Sequence, residues 1–181
     1  MQDVMIDVET LDTRPSAVLL SIGAVRFDIN TPRIYDSKTF HVHIDIDSCL
    51  EVGRTVSGNT VLWWMDQVDA ARNRMTSDKR VPLRVALLQL RTFITDEDRV
   101  WGNGAGFDNV ILHDAYRSVN VDPPWRYWND MCYRTVKNLH RDVPKPAFSD
   151  VKHDALADAL HQAVHLQMIY QKIRQTEAQA S

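Results

Sequence analysis

Apolar and polar positions follow two different periods along this chain. In "DVMIDVET" side chains two apart share a face of a strand, so Val4, Ile6 and Val8 form one row and Met5, Asp7 and Glu9 the other. "TRPSAVLLSIGAVRFD" supplies a Pro-containing turn and then a second, largely apolar strand from about Val18 to Phe27. In "RIYDSKTFHVHIDI" Phe40, Val42 and Ile44 alternate with His41, His43 and Asp45, which predicts a third strand with one polar face. Beyond it the spacing turns helical. "VLWWMDQVDAARN" predicts a short helix capped by Thr60, and "VPLRVALLQLRTFIT" an amphipathic helix with Pro82 in its first turn. "FDNVILHDAYRSV" predicts a helix that buries Phe107, Val110, Ile111 and Tyr116. Another helix is expected through "CYRTVKNLHR", and a last one from about Asp154 to Arg174, with Leu156, Leu160, Ala163, Tyr170 and Ile173 near helical spacing. "RVWGNG" reads as a short strand entering a glycine-rich turn, "PPWRYWNDMC" as an extended stretch and "DVPKPAFSDVK" as a Pro-broken loop.

Three adjacent strands followed by alternating helix and strand predict an α/β fold with a mixed five-stranded sheet flanked by helices. The first three strands form an antiparallel meander, and the later ones, reached through helices, lie parallel to the first. No repeat or linker divides the 181 residues, so residues 1–181 are expected to form one domain. A net charge of −3 argues against a generally basic coat and leaves room for a local basic groove. Cys49 and Cys132 match neither a zinc spacing nor a disulfide framework. With no leader pattern and no apolar run near membrane-spanning length, a soluble cytoplasmic protein without a membrane partner is expected.

The chemistry collects at four places. Asp7 and Glu9 lie side by side on a half-buried strand, where a like-charge pair 4 Å apart costs about 4 kcal/mol at an effective dielectric near 20. Asp108 follows the glycine-rich turn, and Asp158 sits in "HDALAD". Singly these are ordinary surface or helix-start residues, but α/β sheets gather ligand sites at strand ends. Four carboxylates brought together there need cations, and oxygen donors suit Mg²⁺ or Mn²⁺. A carboxylate-bridged pair of such ions is the arrangement that cleaves phosphodiesters. Five helical positions separate His153 from Asp158 by about 140° around the axis. They therefore share a site only if His153 precedes the helix, on the Pro-rich loop, which could bring it in as a lid. There an imidazole can serve as general base toward water. The fourth place is aromatic and basic: Trp63, Trp64, Trp125 and Trp128, with Arg126, Arg134, Lys137, Lys145 and Lys152 nearby. Single-strand ends are held by base stacking and phosphate contacts. Trp63 and Trp64 lie about 100° apart on a helix, so one faces the site and the other packs; Trp64 is the candidate for stacking. Arg134 is expected to pair with Asp130.

In order as well as type, "DVET", "GNGAGFDNVIL" and "HDALADA" resemble the three motifs of the DEDDh exonucleases, the DnaQ-like group of the ribonuclease H-like superfamily. The His-x4-Asp spacing marks the histidine branch, and the motifs span residues 7 to 158. "SAVLLSIGAVRFD", "WW" and the run from Asp130 to Thr135 look most like the branch that holds phage DNA exonuclease A and the mycobacterial-type 3′-5′ exoribonuclease. The resemblance implies a 3′→5′ exonuclease that releases nucleoside 5′-monophosphates with two divalent cations. It implies Asp7, Glu9, Asp108 and Asp158 as metal ligands, His153 as base, and Thr10 and Leu11 as contacts to the terminal nucleotide. Nucleic acid 3′ ends are the implied partner, with a slight lean to single-stranded or 3′-overhanging DNA, and a homodimer is a further implied partner, since relatives in this group are often homodimers. Three other readings stay open at this level: an exoribonuclease, a phosphodiesterase of oligonucleotides or small nucleotides, and a non-catalytic nucleic-acid-binding module.

Overall fold

Residues 2–31, 38–75, 79–148 and 152–180 are described by the structure, a computed structural model. In chain order its elements are β1 (Asp3–Thr10), β2 (Leu19–Phe27), β3 (Thr39–Ile44), α1 (Ile46–Glu51), α2 (Gly58–Met65) and α3 (Asp69–Met75). There follow β4 (Arg80–Val81), α4 (Leu83–Phe93), β5 (Arg99–Gly102), α5 (Asp108–Ser118), β6 (Asp130–Cys132), α6 (Tyr133–Leu139) and α7 (Ala155–Ala180). The strands form one sheet in the order β4-β3-β2-β1-β5-β6. β2 is antiparallel to both β1 and β3, while the β1–β5, β5–β6 and β3–β4 pairings are parallel.

The mixed sheet is as expected, with six strands rather than five. The addition is β4, two residues long and therefore without a period to read. The single helix expected over "VLWWMDQVDAARN" is two helices, α2 and α3, and α2 starts at Gly58 with Ser57 in the cap position rather than Thr60. α1 escaped notice because it has only six residues; Asp45 caps it, accepting the Ser48 N–H at 2.9 Å. Val110 points outward, 38 % exposed, whereas Ile111 and Tyr116 are buried as expected.

Both faces of the sheet are covered, which explains why its central strands are nearly continuous apolar runs. Val4, Ile6 and Val8 pack with Ile22, Leu87, Leu90 and Leu112 in the larger core. Met5, on the other face, packs with Trp101, Tyr133, Ala159, Ala163 and Leu166 beneath α6 and α7. Asp7 and Glu9 continue the row of Met5, so they emerge on the α7 side. Across the ladder Asp7 is paired with Gly23. A Cβ at Gly23 would stand 2.2 Å from the backbone carbon of Ala155. Only a bare backbone lets the first turn of α7 sit directly on the sheet, one turn from Asp158. On the opposite face the buried Arg54 guanidinium fastens the β1–β2 turn to α5, donating to Ala17 O at 2.7 Å, Pro15 O at 3.1 Å and Asp114 at 3.2 Å.

Gly23→Ala should lower the unfolding free energy by about 1–3 kcal/mol, the usual cost of overpacking, because the obstructing atoms are backbone. Gly58→Ala, where an added Cβ meets nothing within 4 Å, is the control and should leave stability equal or slightly higher. Urea denaturation of both variants measures the difference.

Candidate active site

Three elements bring the carboxylates together. β1 contributes Asp7 and Glu9, and immediately after Glu9 its register with β2 slips by one residue, so that Thr10 pairs with Leu19. Such a bulge twists the strand end and re-aims its side chains. β5 ends at Gly102, where a Cβ would lie 2.4 Å from Asn109 Oδ1 and 3.0 Å from Asp108 Oδ2. That missing side chain lets α5 begin against the strand end, with Asp108 as its first residue. Asp158 sits in the first turn of α7, and His153 lies just before that helix.

His153 adopts a left-handed backbone conformation, φ +64°, uncommon for a residue with a side chain. Its N–H donates to Asp158 Oδ2 at 2.8 Å. Glu9, His153 and Asp158 each offer a ligand atom, and the three lie within 4.8 Å of one another. Asp7 Oδ1 accepts from Gln162 Nε2 at 2.8 Å. Gln162 was missed at the sequence level, although it stands four residues after Asp158 and hence on the same face of the helix.

The electrostatics are those of like charges forced together. Burial, then Asp108, Glu9 and Asp158, push the Asp7 carboxyl well above its usual range, against the pull of Gln162. Burial pushes Glu9 up to about 8, helped by Asp158, Asp108 and Asp154. Burial lifts Asp108 to about 7, although backbone N–H groups and the Arg134 guanidinium pull the other way. Burial also raises Asp158, opposed by the N–H and charge of His153. Asp108 Oδ2 is buried without a hydrogen-bond partner. An all-oxygen donor set with mutually repelling charges and an orphaned carboxylate oxygen fits hard divalent cations. Asp7, Glu9, Asp108 and Asp158 are the residues that could hold them.

The structure thus brings His153 and the four carboxylates to one end of the sheet. It does not present the other three candidates there. Thr10 and Leu11 are buried, and the Thr10 hydroxyl donates to Asp12 O at 2.7 Å. Trp64 is 2 % exposed, with its indole N–H donated to Thr10 O at 2.8 Å, so no ring face is open to a base. The available indole is its neighbour Trp63, 44 % exposed and edge-on to His153 with ring centroids 5.0 Å apart. Helical spacing separates the two rings without saying which turns inward; the hydrogen bond to Thr10 decides it.

Two further expectations change. Asp130 does not pair with Arg134: it accepts from Asn109 Nδ2 and Trp125 Nε1, both at 2.8 Å, and meets His113 at 3.2 Å. Nor is the Pro-rich loop free over residues 140–148, since His161 and His165 of α7 bond to its Pro146 and Val143 carbonyls at 2.8 and 3.0 Å. Residues 149–151, nearest His153, lie outside the described ones.

A family model described as the 3′-5′ exoribonuclease Rv2179c-like domain matches residues 2–170. The chain belongs to that family. It is therefore a 3′→5′ exonuclease by class. It is also similar to the exodeoxyribonuclease of Enterobacteria phage T4, 25 % identical over 193 aligned residues that cover 87 % of this chain and 84 % of the phage protein. Among solved structures, E. coli exonuclease I in complex with a dT13 oligonucleotide matches 98 % of this chain with a TM-score of 0.66 and 14 % identity. Exonuclease I from Methylocaldum szegediense matches 94 % with a TM-score of 0.65 and 15 % identity. At such identities the likeness shows the fold, a ribonuclease H-like exonuclease fold. This chain spans about two fifths of the length of those exonucleases, 42 % and 40 % respectively. Among the described residues no helix is long and apolar enough to cross a membrane.

The raised carboxyls set a pH dependence whose sign is fixed. Between about pH 4.5 and 8 the folded, metal-free protein retains protons that the unfolded chain has released, so its stability falls as pH rises through that window. In chelator at constant ionic strength, the thermal midpoint should drop by several degrees from pH 5 to pH 8, at about 2–4 °C per kcal/mol for a chain of this size. Mg²⁺ or Mn²⁺ should restore it at pH 8 and do little at pH 5. Asp7→Asn, with one charge fewer, should flatten the profile. A midpoint that rises over this window would contradict the account.

Proposed function

We propose that this enzyme removes mononucleotides one at a time from the 3′ end of single-stranded or 3′-overhanging nucleic acid, with DNA preferred. The observation that carries the reading is the convergence of Asp7, Glu9, Asp108 and Asp158 with His153 at one sheet end. Two divalent cations held by the four carboxylates, Mg²⁺ or Mn²⁺ by their preference for oxygen, would supply an activated water and neutralise charge on the leaving oxygen. The chain's own residues do the rest. The imidazole of His153 takes the proton as the water oxygen bonds to phosphorus and the bond to the preceding 3′ oxygen breaks. The products are a nucleoside 5′-monophosphate and a strand one nucleotide shorter, whose 3′ oxygen takes up a proton. Gln162 keeps Asp7 oriented through its amide. Trp63, exposed beside His153, stacks on the terminal base in place of the buried Trp64, and Thr10 and Leu11 back the strand end behind it.

Likeness to the phage exodeoxyribonuclease over most of both chains supports DNA. RNA is the second reading, favoured by the description of the family. The unpaired Cys49 and Cys132 agree with a reducing, cytoplasmic setting.

One panel tests the reading: single-stranded, duplex and 3′-overhang DNA and RNA of equal length, with Mg²⁺, with Mn²⁺ and with chelator. Stepwise release of 5′-mononucleotides should require metal and fall about 10²–10⁴-fold in His153→Ala, with at least as large a loss in Asp7→Ala and folding retained in both. Trp63→Ala should raise KM about five-fold or more, from the loss of one stacking contact, whereas Trp64→Ala should mainly destabilise the fold. Undiminished release by Asp7→Ala would sink the proposal.

A further inference from the structure

On the β5–β6 side of the carboxylates, away from Trp63, three cations are held together against their mutual repulsion. Arg134 and Lys137 stand one turn apart on α6 and both reach the loop that follows β5. Arg134 donates from Nε and Nη2 to Asn103 O at 3.1 and 2.6 Å, and Lys137 Nζ donates to Asn103 Oδ1 at 3.4 Å. The Arg134 guanidinium lies over Gly104, a residue at φ +113°, 3.5 Å from where a Cβ would stand. Lys145 belongs to the separate loop "VPKP", and that loop is fastened on both sides of it. The Val143 and Pro146 carbonyls accept from His165 and His161 at 3.0 and 2.8 Å, and Phe148 packs edge-on to His161 at 4.8 Å. Two prolines flank the lysine and limit its backbone further.

The three charges act on one another. Burial, then Lys145 and Arg134, hold the Lys137 ammonium below its ordinary range. Burial, then Lys145, His161 and Lys137, hold the His165 imidazole below its ordinary range. Among the described residues no carboxylate forms an ion pair with Arg134, Lys137 or Lys145. Exposed cations ordinarily spread out or pair with acids. These three come from two segments that His165 ties together, its Nε2 meeting Val143 O at 3.0 Å and its Nδ1 the hydroxyl of Tyr133, the first residue of α6, at 2.7 Å, while Arg134 and Lys137 both bond to Asn103 in the loop that leads into Asp108.

We propose that Arg134, Lys137 and Lys145 form a subsite for backbone phosphates on the 5′ side of the scissile bond. The inference rests on the exonuclease reading above. The strand then runs from this cationic flank, over the carboxylates, to the aromatic flank where Trp63 takes the terminal base. Guanidinium and ammonium groups are the side chains suited to phosphate, and a single strand offers a phosphate at every step for them to hold. The subsite makes the substrate an oligonucleotide: a substrate without upstream phosphates gains nothing from it.

Lys145 is the residue to test, because it touches none of the carboxylate ligands or the loop that orients them. Binding is read by fluorescence anisotropy with 5′-labelled thymidine and uridine 15-mers carrying phosphorothioate 3′ linkages, across a salt series. Turnover is read with the ordinary 15-mers and with the p-nitrophenyl ester of thymidine 5′-monophosphate, which has no upstream phosphate. Lys145→Ala should weaken 15-mer binding several-fold and reduce the slope of log affinity against log salt by about 0.7, the loss of one single-strand phosphate contact. KM for the 15-mer should rise with kcat within twofold, and hydrolysis of the aryl ester should lose less than twofold. Lys145→Arg should restore most of the binding and Lys145→Glu should worsen it. An unchanged affinity and salt slope in Lys145→Ala, or equal losses on the 15-mer and the aryl ester, would overturn the subsite. Binding of the 15-mer with the expected slope but no release of mononucleotides would instead overturn the exonuclease reading.

Discussion

Crowding of negative charge at the end of β1 is the constraint on which the rest of the structure turns. Asp7 and Glu9 share a face because a strand repeats every two residues, and their neighbours are placed so that separation is impossible. Gly23 lets α7 settle on the sheet and bring Asp158 down; Gly102 lets α5 start against the strand end and bring Asp108 in. Each device tightens a cluster that the protein alone cannot relieve except by taking up protons: burial lifts all four carboxyls, and at Asp7 and Glu9 the neighbouring carboxylates lift them further. Such crowding costs stability and fits the divalent cations proposed for the site.

Around this centre the two flanks have opposite character. On the β2 side, Trp64 is locked into the core through Thr10 and supports Trp63, whose exposed ring stands against His153. On the β6 side the surface is cationic, with Arg134 and Lys137 gathered on Asn103. A mononucleotide unit of a nucleic acid has the same two parts, an apolar plane and a charged link. The asymmetry of the site would give a polarity to the strand proposed to lie across it.

Much of this was legible in the sequence. The order of apolar strands and periodic helices gave the mixed sheet, because the period of each long element is strong. The three acidic motifs fell at strand and helix ends, where α/β sheets place ligands. His153 could be set outside the last helix by arithmetic alone, since five helical positions would have turned it away from Asp158. The failures are equally physical. β4 and α1 are too short to have a period. Trp63 and Trp64 are equivalent to any pattern rule until one of them finds a backbone carbonyl. Arg134 was assigned to Asp130 by nearness in sequence, whereas Asp130 is satisfied by Asn109, Trp125 and His113 from other segments. Lys145 drew notice only as one charge in a loop, because its neighbours on α6 and its anchors on α7 are tertiary facts.

The net charge of −3 looks unsuited to a polyanionic substrate, but it is the local field that steers and holds a ligand. Without metal, whatever negative charge the four raised carboxyls keep opposes a strand of phosphates. With two divalent cations in place, as proposed, the carboxylates are cancelled and the three flanking cations are left uncompensated. On that proposal the face would turn from repelling the substrate to attracting it. Metal occupancy and strand binding would in this way be coupled through charge alone, with no change of conformation required. The same balance explains why a generally basic surface is unnecessary. Charges more than the screening length of about 8 Å away at physiological salt contribute little to that local field.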